Sequence, residues 1–226
     1  MNKGKNSKKI RNVLYEYCSQ EWHSIIQNSE TAFSVNKGGK IFAEGDPVKG
    51  VYFIDSGIVK VVSGHTKKIE RILRLAGNGE LLGHRGFSVS NYPVSAIALT
   101  NTKITFVPRD IFRTLIKTNS TLSLYLIDFL SNELRESEER TESLMHSEIK
   151  DRIVVILLKL ADLFGYDKQE PQKLFYSLSR TDLANMAGTT YETVIRILAS
   201  LQKQKYIKLT GKSIHLLKPE KLRTLL

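Results

Sequence analysis

The chain has 226 residues, of which 41% are hydrophobic and 25% charged, an ordinary globular composition with material for two domains or one large one. Lys and Arg number 34 against 23 Asp and Glu, a net charge of +11, which favours a polyanionic partner. A single cysteine, Cys18, excludes an intramolecular disulfide framework and an all-cysteine iron–sulfur cluster within one subunit, since such a cluster needs four thiolates. Cys18 reads as a buried small residue rather than a redox sensor. No apolar run reaches membrane-spanning length, and the basic opening MNKGKNSKKIR leads into no apolar signal core. The expectation is a soluble cytoplasmic protein with a solvated basic tail.

Residues 13–27 read as helical, with Trp22, Ile25 and Ile26 on the buried face. Near Phe33 the character changes. Runs rich in β-branched and aromatic residues follow at 40–43, 50–54, 58–62, 69–76, 94–99 and 103–107, many separated by Gly-containing turns. Short strands so regularly spaced predict a sandwich or barrel, a mixed α+β sheet being the alternative.

From Asp110 the pattern turns helical. Ile127, Leu130, Leu134, Ser137, Thr141 and Leu144 alternate three- and four-residue spacings, a heptad seam. Glu133, Arg135, Glu136, Glu138, Glu139, Arg140 and Glu142 flank it. A narrow seam on a long helix predicts a parallel partner from a second subunit; the alternative is a helix packed on its own β domain. The polar seam positions Ser137 and Thr141 set register or face a ligand held between helix and β domain. A further amphipathic helix is expected over Ile149–Phe164, with Ile153, Val154, Ile156, Leu157, Leu160 and Leu163 as its apolar content and Gly165 and Pro171 closing it off.

Residues 179–207, SRTDLANMAGTTYETVIRILASLQKQKYI, read as a helix-turn-helix. Small Ala184 sits within the first helix, and Gly188 follows where the chain turns sharply. Val194 and Ile197 are spaced to face Leu183, Ala184 and Ala187. Ser179-x-x-Asp182 and Thr189-x-x-Glu192 mark the two helix starts. An ordinary helical hairpin is the alternative. Runs at 206–209 and 214–217, joined by Thr210-Gly211-Lys212-Ser213, form a hairpin, the wing of a winged helix. This region is also the more basic: residues 149–226 hold 14 Lys and Arg against 7 Asp and Glu, whereas 1–148 hold 20 against 16. Phosphate contacts and counterion release need that excess.

This order of parts resembles the CRP/FNR family of bacterial transcription regulators. In the first half the likeness rests on KGGKIFAEGDPVKGVYFIDSGIVKVV, residues 37–62; in the second, on Leu178-Ser179-Arg180 through Gly188 and on Thr190-Tyr191-Glu192-Thr193-Val194-Ile195-Arg196. The resemblance implies an α+β protein: a double-stranded β-helix (jelly-roll) sensor of the cyclic-nucleotide-binding type over 1–118, a dimerisation helix over 119–147, and a winged helix-turn-helix over 148–226. It implies double-stranded DNA bearing a palindromic site, a second copy of the chain and RNA polymerase as partners, and no membrane. Glu192 and Arg196 match the family's base readers. One helical turn apart, they share a face; the guanidinium can fork onto guanine O6/N7 and the carboxylate can accept from cytosine N4. Tyr191 stands where members most like the cyclic-AMP receptor carry Arg, which removes a guanine reader. Phosphate contacts fall to Arg180, Thr189, Thr190, Lys203, Lys208, Lys212 and Ser213.

The sensor departs from the family pattern. Cyclic-AMP-binding members hold the ribose with a Gly-Glu and the cyclic phosphate with an Arg-Ser. Aligning Gly79-Glu80-Leu81-Leu82-Gly83 with the family puts His84 at the ribose Glu and Val94-Ser95 at the Arg-Ser. A buried phosphate needs donors or a cation, and Val94 offers neither, so cyclic AMP is not the expected effector. Arg85 reaching in, or Glu80 taking the ribose role, is the alternative. His84 reads as a hydrogen-bonding structural residue rather than a haem or metal ligand, having no evident second ligand nearby. Effector-pocket candidates, from position in the family fold, are Glu80, His84, Arg85, Val94, Ser95, Ser137, Glu138 and Thr141, the effector being an unidentified small molecule. The leading reading is a dimeric DNA-binding regulator with an effector-sensing roll; the alternative is a constitutive DNA binder with a vestigial sensor. An enzyme is the reading from another class. No Walker loop, H-E-x-x-H or local Ser-His-Asp motif supports it, and Glu138, Glu139 and His146 lie on the helix assigned to dimerisation.

Overall fold

Alternation of apolar side chains builds the first half of the chain into two four-stranded antiparallel sheets. The structure, a computed structural model, describes residues 13–64, 70–224 and 226; the basic tail and Ile69 lie outside the described residues. Helices α1 (Val13–Tyr17) and α2 (Gln20–Ser29) precede strands β1 (Thr31–Val35), β2 (Lys40–Phe42), β3 (Gly50–Ser56), β4 (Val59–Ser63), β5 (Arg71–Ala76), β6 (Leu81–Leu82), β7 (Ser95–Ala98) and β8 (Thr102–Pro108). One sheet has the order β1-β8-β3-β6 and the other β2-β7-β4-β5.

Strand β3 shows why the sheets stack. Successive side chains point to opposite faces. Val51 and Phe53 pack with Leu14, Ile26, Phe112, Leu115 and Leu122 from the helices. Tyr52 and Ile54 instead enter the space between the sheets, with Phe42, Val61, Leu82, Tyr92 and Ala96. A strand buried on both faces reads as an unbroken apolar run, as Val51-Tyr52-Phe53-Ile54 does. Gly50 opens it under constraint: an added Cβ would lie 2.1 Å from the Val107 carbonyl oxygen.

The sequence expectation placed the strands well but missed two, β1 and β6. β1 is almost wholly exposed, so it lacks the apolar alternation that marks a half-buried strand, and β6 has two residues. The expected helix over 13–27 is broken at Cys18-Ser19 into two. Ile26 is fully buried and Trp22 half-buried, but Ile25, expected to be buried, is exposed.

Helix α3 (Arg109–Thr118) leads to α4 (Ser120–His146), 27 residues, about 40 Å long. The chain divides within α4 into a unit reaching Glu133 and a second beginning at Leu134.

In the second unit, α5 (Ile149–Phe164) ends as expected at Gly165, φ +73°. It buries Ile153, Val154, Ile156, Leu157 and Leu160, but Leu163 is exposed. Helices α6 (Arg180–Ala187) and α7 (Tyr191–Lys203), the hairpin β9 (Ile207–Thr210) with β10 (Ser213–Leu216), and a short α8 (Pro219–Arg223) follow. The hairpin pairs Thr210 with Ser213 across Gly211-Lys212, a two-residue turn with Gly211 at φ +59°. No helix among the described residues is long and apolar enough to cross a membrane.

Candidate DNA interface and sensor site

The α6–α7 unit is assembled from local rules. The Ser179 hydroxyl accepts from the Asp182 backbone N–H at 3.0 Å and donates to the Asp182 carboxylate at 2.7 Å, capping α6 as expected. The cap of α7 is one residue later than expected: Thr190, not Thr189, accepts from the Thr193 N–H. Between the helices Gly188 has φ +63°, and a Cβ there would lie 2.9 Å from Leu144 Cδ2. The positive φ is what demands glycine, since the end of the Leu144 side chain can give way. Val194 is fully buried with Leu183 and Ala187. Ile197 is only half-buried, and Leu198, one residue on, takes the inner position expected of it. Arg152 of α5 donates to the Ala187 carbonyl at 2.8 Å and the Ser147 carbonyl at 2.7 Å, pinning the end of α6.

The outer face of α7 is different. Tyr191, Glu192 and Arg196 are all exposed, and no ion pair joins Glu192 to Arg196 among the described residues. Lys203, Lys208 and Lys212 are exposed, while Thr189 and Ser213 are half-buried. Arg180, expected on a phosphate, has its guanidinium against the Lys212 and Gly211 carbonyls at 3.3 and 3.5 Å; it ties the start of α6 to the wing. The wing is set by Gln202, whose side chain accepts from the Leu209 N–H at 2.7 Å, and by Lys205 at φ +58°.

The roll interior is filled by its own rings. Phe42 stacks on Tyr92 with centroids 4.3 Å apart and on Tyr52 at 5.2 Å, and Tyr52 meets Phe106 at 5.0 Å. The Tyr92 hydroxyl donates to the Gly50 carbonyl at 2.7 Å. The cavity left among Phe42, Arg74, His84, Arg85, Tyr92 and Val94 is about 10 Å³, room for one water at most.

Beside that cavity lies a buried ionic cluster. Arg74 on β5 donates to the Glu133 carboxylate, to the Leu81 carbonyl at 2.9 Å and to Glu80 at 3.4 Å. His84 Nε2 and Arg85 Nη2 stand 3.6 and 3.4 Å from the other Glu133 oxygen. Phe129, one turn before Glu133, lies under the Arg74 guanidinium at 5.7 Å and edge-on to His84 at 4.9 Å. Burial works to raise Glu133, but neighbouring His84 and the Arg74 charge outweigh it and hold the carboxyl well below its ordinary range. Burial lowers His84; the pull of Glu133 does not reverse this, and Arg74 and Arg85 add to it.

Of the effector-pocket candidates, Glu80, His84, Arg85 and Val94 come together around Arg74. Ser95 is fully buried, and its hydroxyl accepts from the Glu44 N–H at 2.8 Å, a structural use. Ser137, Glu138 and Thr141 border a shallow groove on α4 with Glu142, Met145 and His146, and Thr141 donates back to the Ser137 carbonyl. Arg74 and Glu133 were missed as sensor residues. The available signal was cross-strand pairing: Arg74 and Ala76 stand opposite Val61 and Val59 of β4, and all four are buried. Among the described residues no group of three or more His, Cys, Asp or Glu is placed to hold a metal ion. Burial pushes the Cys18 thiol up to about 11.

Both halves match known proteins. Residues 32–119 match the cyclic nucleotide-binding domain and residues 151–225 the Crp-like helix-turn-helix domain. The transcriptional activator protein Anr of Pseudomonas aeruginosa is 29% identical over 183 residues, covering 81% of this chain and 75% of the relative. The CRP-like cAMP-activated global transcriptional regulator of Mycobacterium tuberculosis is 28% identical over 187 residues, covering 82% and 84%. The solved structure of FixK2 from Bradyrhizobium japonicum shares the fold, with a TM-score of 0.78 at 23% identity, covering 87% of this chain and 96% of that one. With a β-roll ahead of a long helix and a winged helix-turn-helix, and with both family matches falling on those parts, the chain belongs to the CRP/FNR family of transcription regulators.

Proposed function

We propose that the chain acts in the cytoplasm as a homodimer, reading a palindromic DNA site with Tyr191, Glu192 and Arg196 of α7. The observation that carries this reading is the state of the two charged side chains. Ser179, Thr190 and Arg180 are engaged in caps or on carbonyls, whereas Glu192 and Arg196 are exposed and make no ion pair among the described residues. They are thus available to base edges without first breaking an internal contact. Lys203, Lys208 and Lys212, with Thr189, Thr190 and Ser213, supply phosphate contacts around them.

Dimerisation is supported by the exposed stripe on α4. Ile127 is 59% exposed, Leu130 49%, Leu134 62% and Leu144 46%. Such a row on one helix is the seam of a coiled coil awaiting its second strand. Two copies would present two recognition helices to half-sites about one helical turn apart.

The filled roll favours the reading in which DNA is bound without an added nucleotide. A pocket for a nucleotide-sized ligand needs roughly 300 Å³ or more, far beyond the cavity present. Selection of bound sequences from a random DNA pool by the untreated protein tests the whole reading. Enrichment of a two-fold symmetric site supports it, whereas an unenriched pool refutes it. Calorimetry with cyclic nucleotides then separates a working nucleotide sensor from a vestigial one.

A further inference from the structure

The cluster beside the roll cavity has the form of an anion receptor with its guest already in place. Three donor side chains converge on the Glu133 carboxylate: Arg74, His84 and Arg85. Arg74 and His84 are more than nine-tenths buried, with side-chain exposures of 9% and 6%. Their remaining nitrogens, Arg74 Nε and His84 Nδ1, are also buried and meet no protein acceptor. Two fixed cations, Arg74 and Arg85, therefore face a carboxylate that arrives from a different element, 59 residues along the chain from Arg74. A buried guanidinium cannot stay unpaired without large cost, so some anion must occupy this place.

We propose that Arg74, His84 and Arg85 form a carboxylate-binding site in the roll, and that Glu133 of α4 is its resident ligand. The site accepts small carboxylates, and an external one can enter only by displacing Glu133. Because Glu133 and Phe129 sit one turn apart on α4 and both touch the same two side chains, exchange of the guest would change how the start of α4 rests on the roll. This deepens the sensor half of the regulator reading and assigns the ligand class that the sequence leaves open.

The test uses the deleted fragment as the probe. Glu133→Ala in the full chain removes one CH2–COO⁻ group, and acetate restores those atoms. The variant is expected to melt about 10 °C below the unmodified chain, the scale for stranding a buried charge. Acetate should recover at least half of that loss, saturably, while sodium chloride at matched ionic strength recovers none. The Glu133→Ala/Arg74→Met variant should not respond to acetate, and the unmodified chain, whose site is already filled by Glu133, should respond only at far higher acetate concentration. Equal responses to acetate and chloride, or an acetate response that survives Arg74→Met, overturn the proposal. Should Glu133→Ala fail to fold, Glu133→Gln keeps the volume and deletes the charge. It is expected to melt lower, with recovery when Arg74→Met is added; a midpoint equal to the unmodified chain's shows Glu133 to be filler and sinks the idea. Melting is read without DNA, so a loss of sequence-specific DNA binding would break the functional reading and leave this one standing.

Discussion

On α7, Glu192 and Arg196 stand exposed with no ion pair among the described residues, whereas in the roll buried Arg74 and His84 face the half-buried Glu133 carboxylate. The two regions put similar side chains to opposite use. An exposed charge keeps its hydration until a partner arrives, so it can be held ready at little cost. A buried charge needs its counter-charge at all times. A ligand for the first region therefore adds contacts, while a ligand for the second must replace one. That difference makes the DNA half open to recognition as it stands and the sensor half closed.

The largest effect expected concerns pairing of two DNA halves. Ile127→Asp combined with Leu134→Asp places charges in the α4 seam and should yield a monomer by sedimentation. Affinity for a palindrome should fall by on the order of 10²–10⁴, the advantage of two linked sites over one. A dimer that persists would move the subunit interface elsewhere. Next, Phe42→Ala should destabilise the sensor by about 3–5 kcal/mol in denaturant unfolding, the scale for removing a core ring. A loss below about 1 kcal/mol would mean the rings do not seal the roll.

A smaller effect sharpens the DNA side. Arg196→Ala should cost roughly 1–3 kcal/mol on the selected duplex and relax preference at one base pair. Equal losses on selected and scrambled duplexes would reassign Arg196 to phosphate. The smallest effect concerns acid. Folding lowers His84, which faces Arg74, Arg85 and Glu133, so the unfolded chain binds more protons than the folded one once pH drops into the ordinary imidazole range. Sensor stability should be fullest above that range and decline as pH falls through and below it. Melting profiles of the unmodified chain and His84→Gln against pH should differ in slope there; parallel profiles would mean His84 is not the group responsible.

How much was legible follows from the range of the forces. Ser179 with Asp182, Gly188, and the Glu192–Arg196 spacing lie within one turn or one loop of their partners, so a linear reading finds them. The cap at Thr190 and the inward position of Leu198 were each off by one residue, because helix phase is set by the turn's geometry. Strand β1 hid because exposure on both faces leaves no alternation. The Arg74–Glu133 pair hid because nothing local joins a strand residue to a helix residue so far along the chain, and Glu133 looked like one more charge flanking a heptad.

From the residues alone one reads the β-rich first half and the helix-turn-helix, the glycine turns, the exposed apolar row on α4 and the Glu192–Arg196 pair on α7, since each depends on periodicity or on a backbone angle that few residues tolerate. That the roll is packed with Phe42, Tyr52 and Tyr92, that Arg180 holds the wing, and that Arg74 is neutralised from within emerged only on folding. Those outcomes depend on which surfaces meet when distant segments close over one another. A buried charge accepts whichever counter-charge the fold delivers.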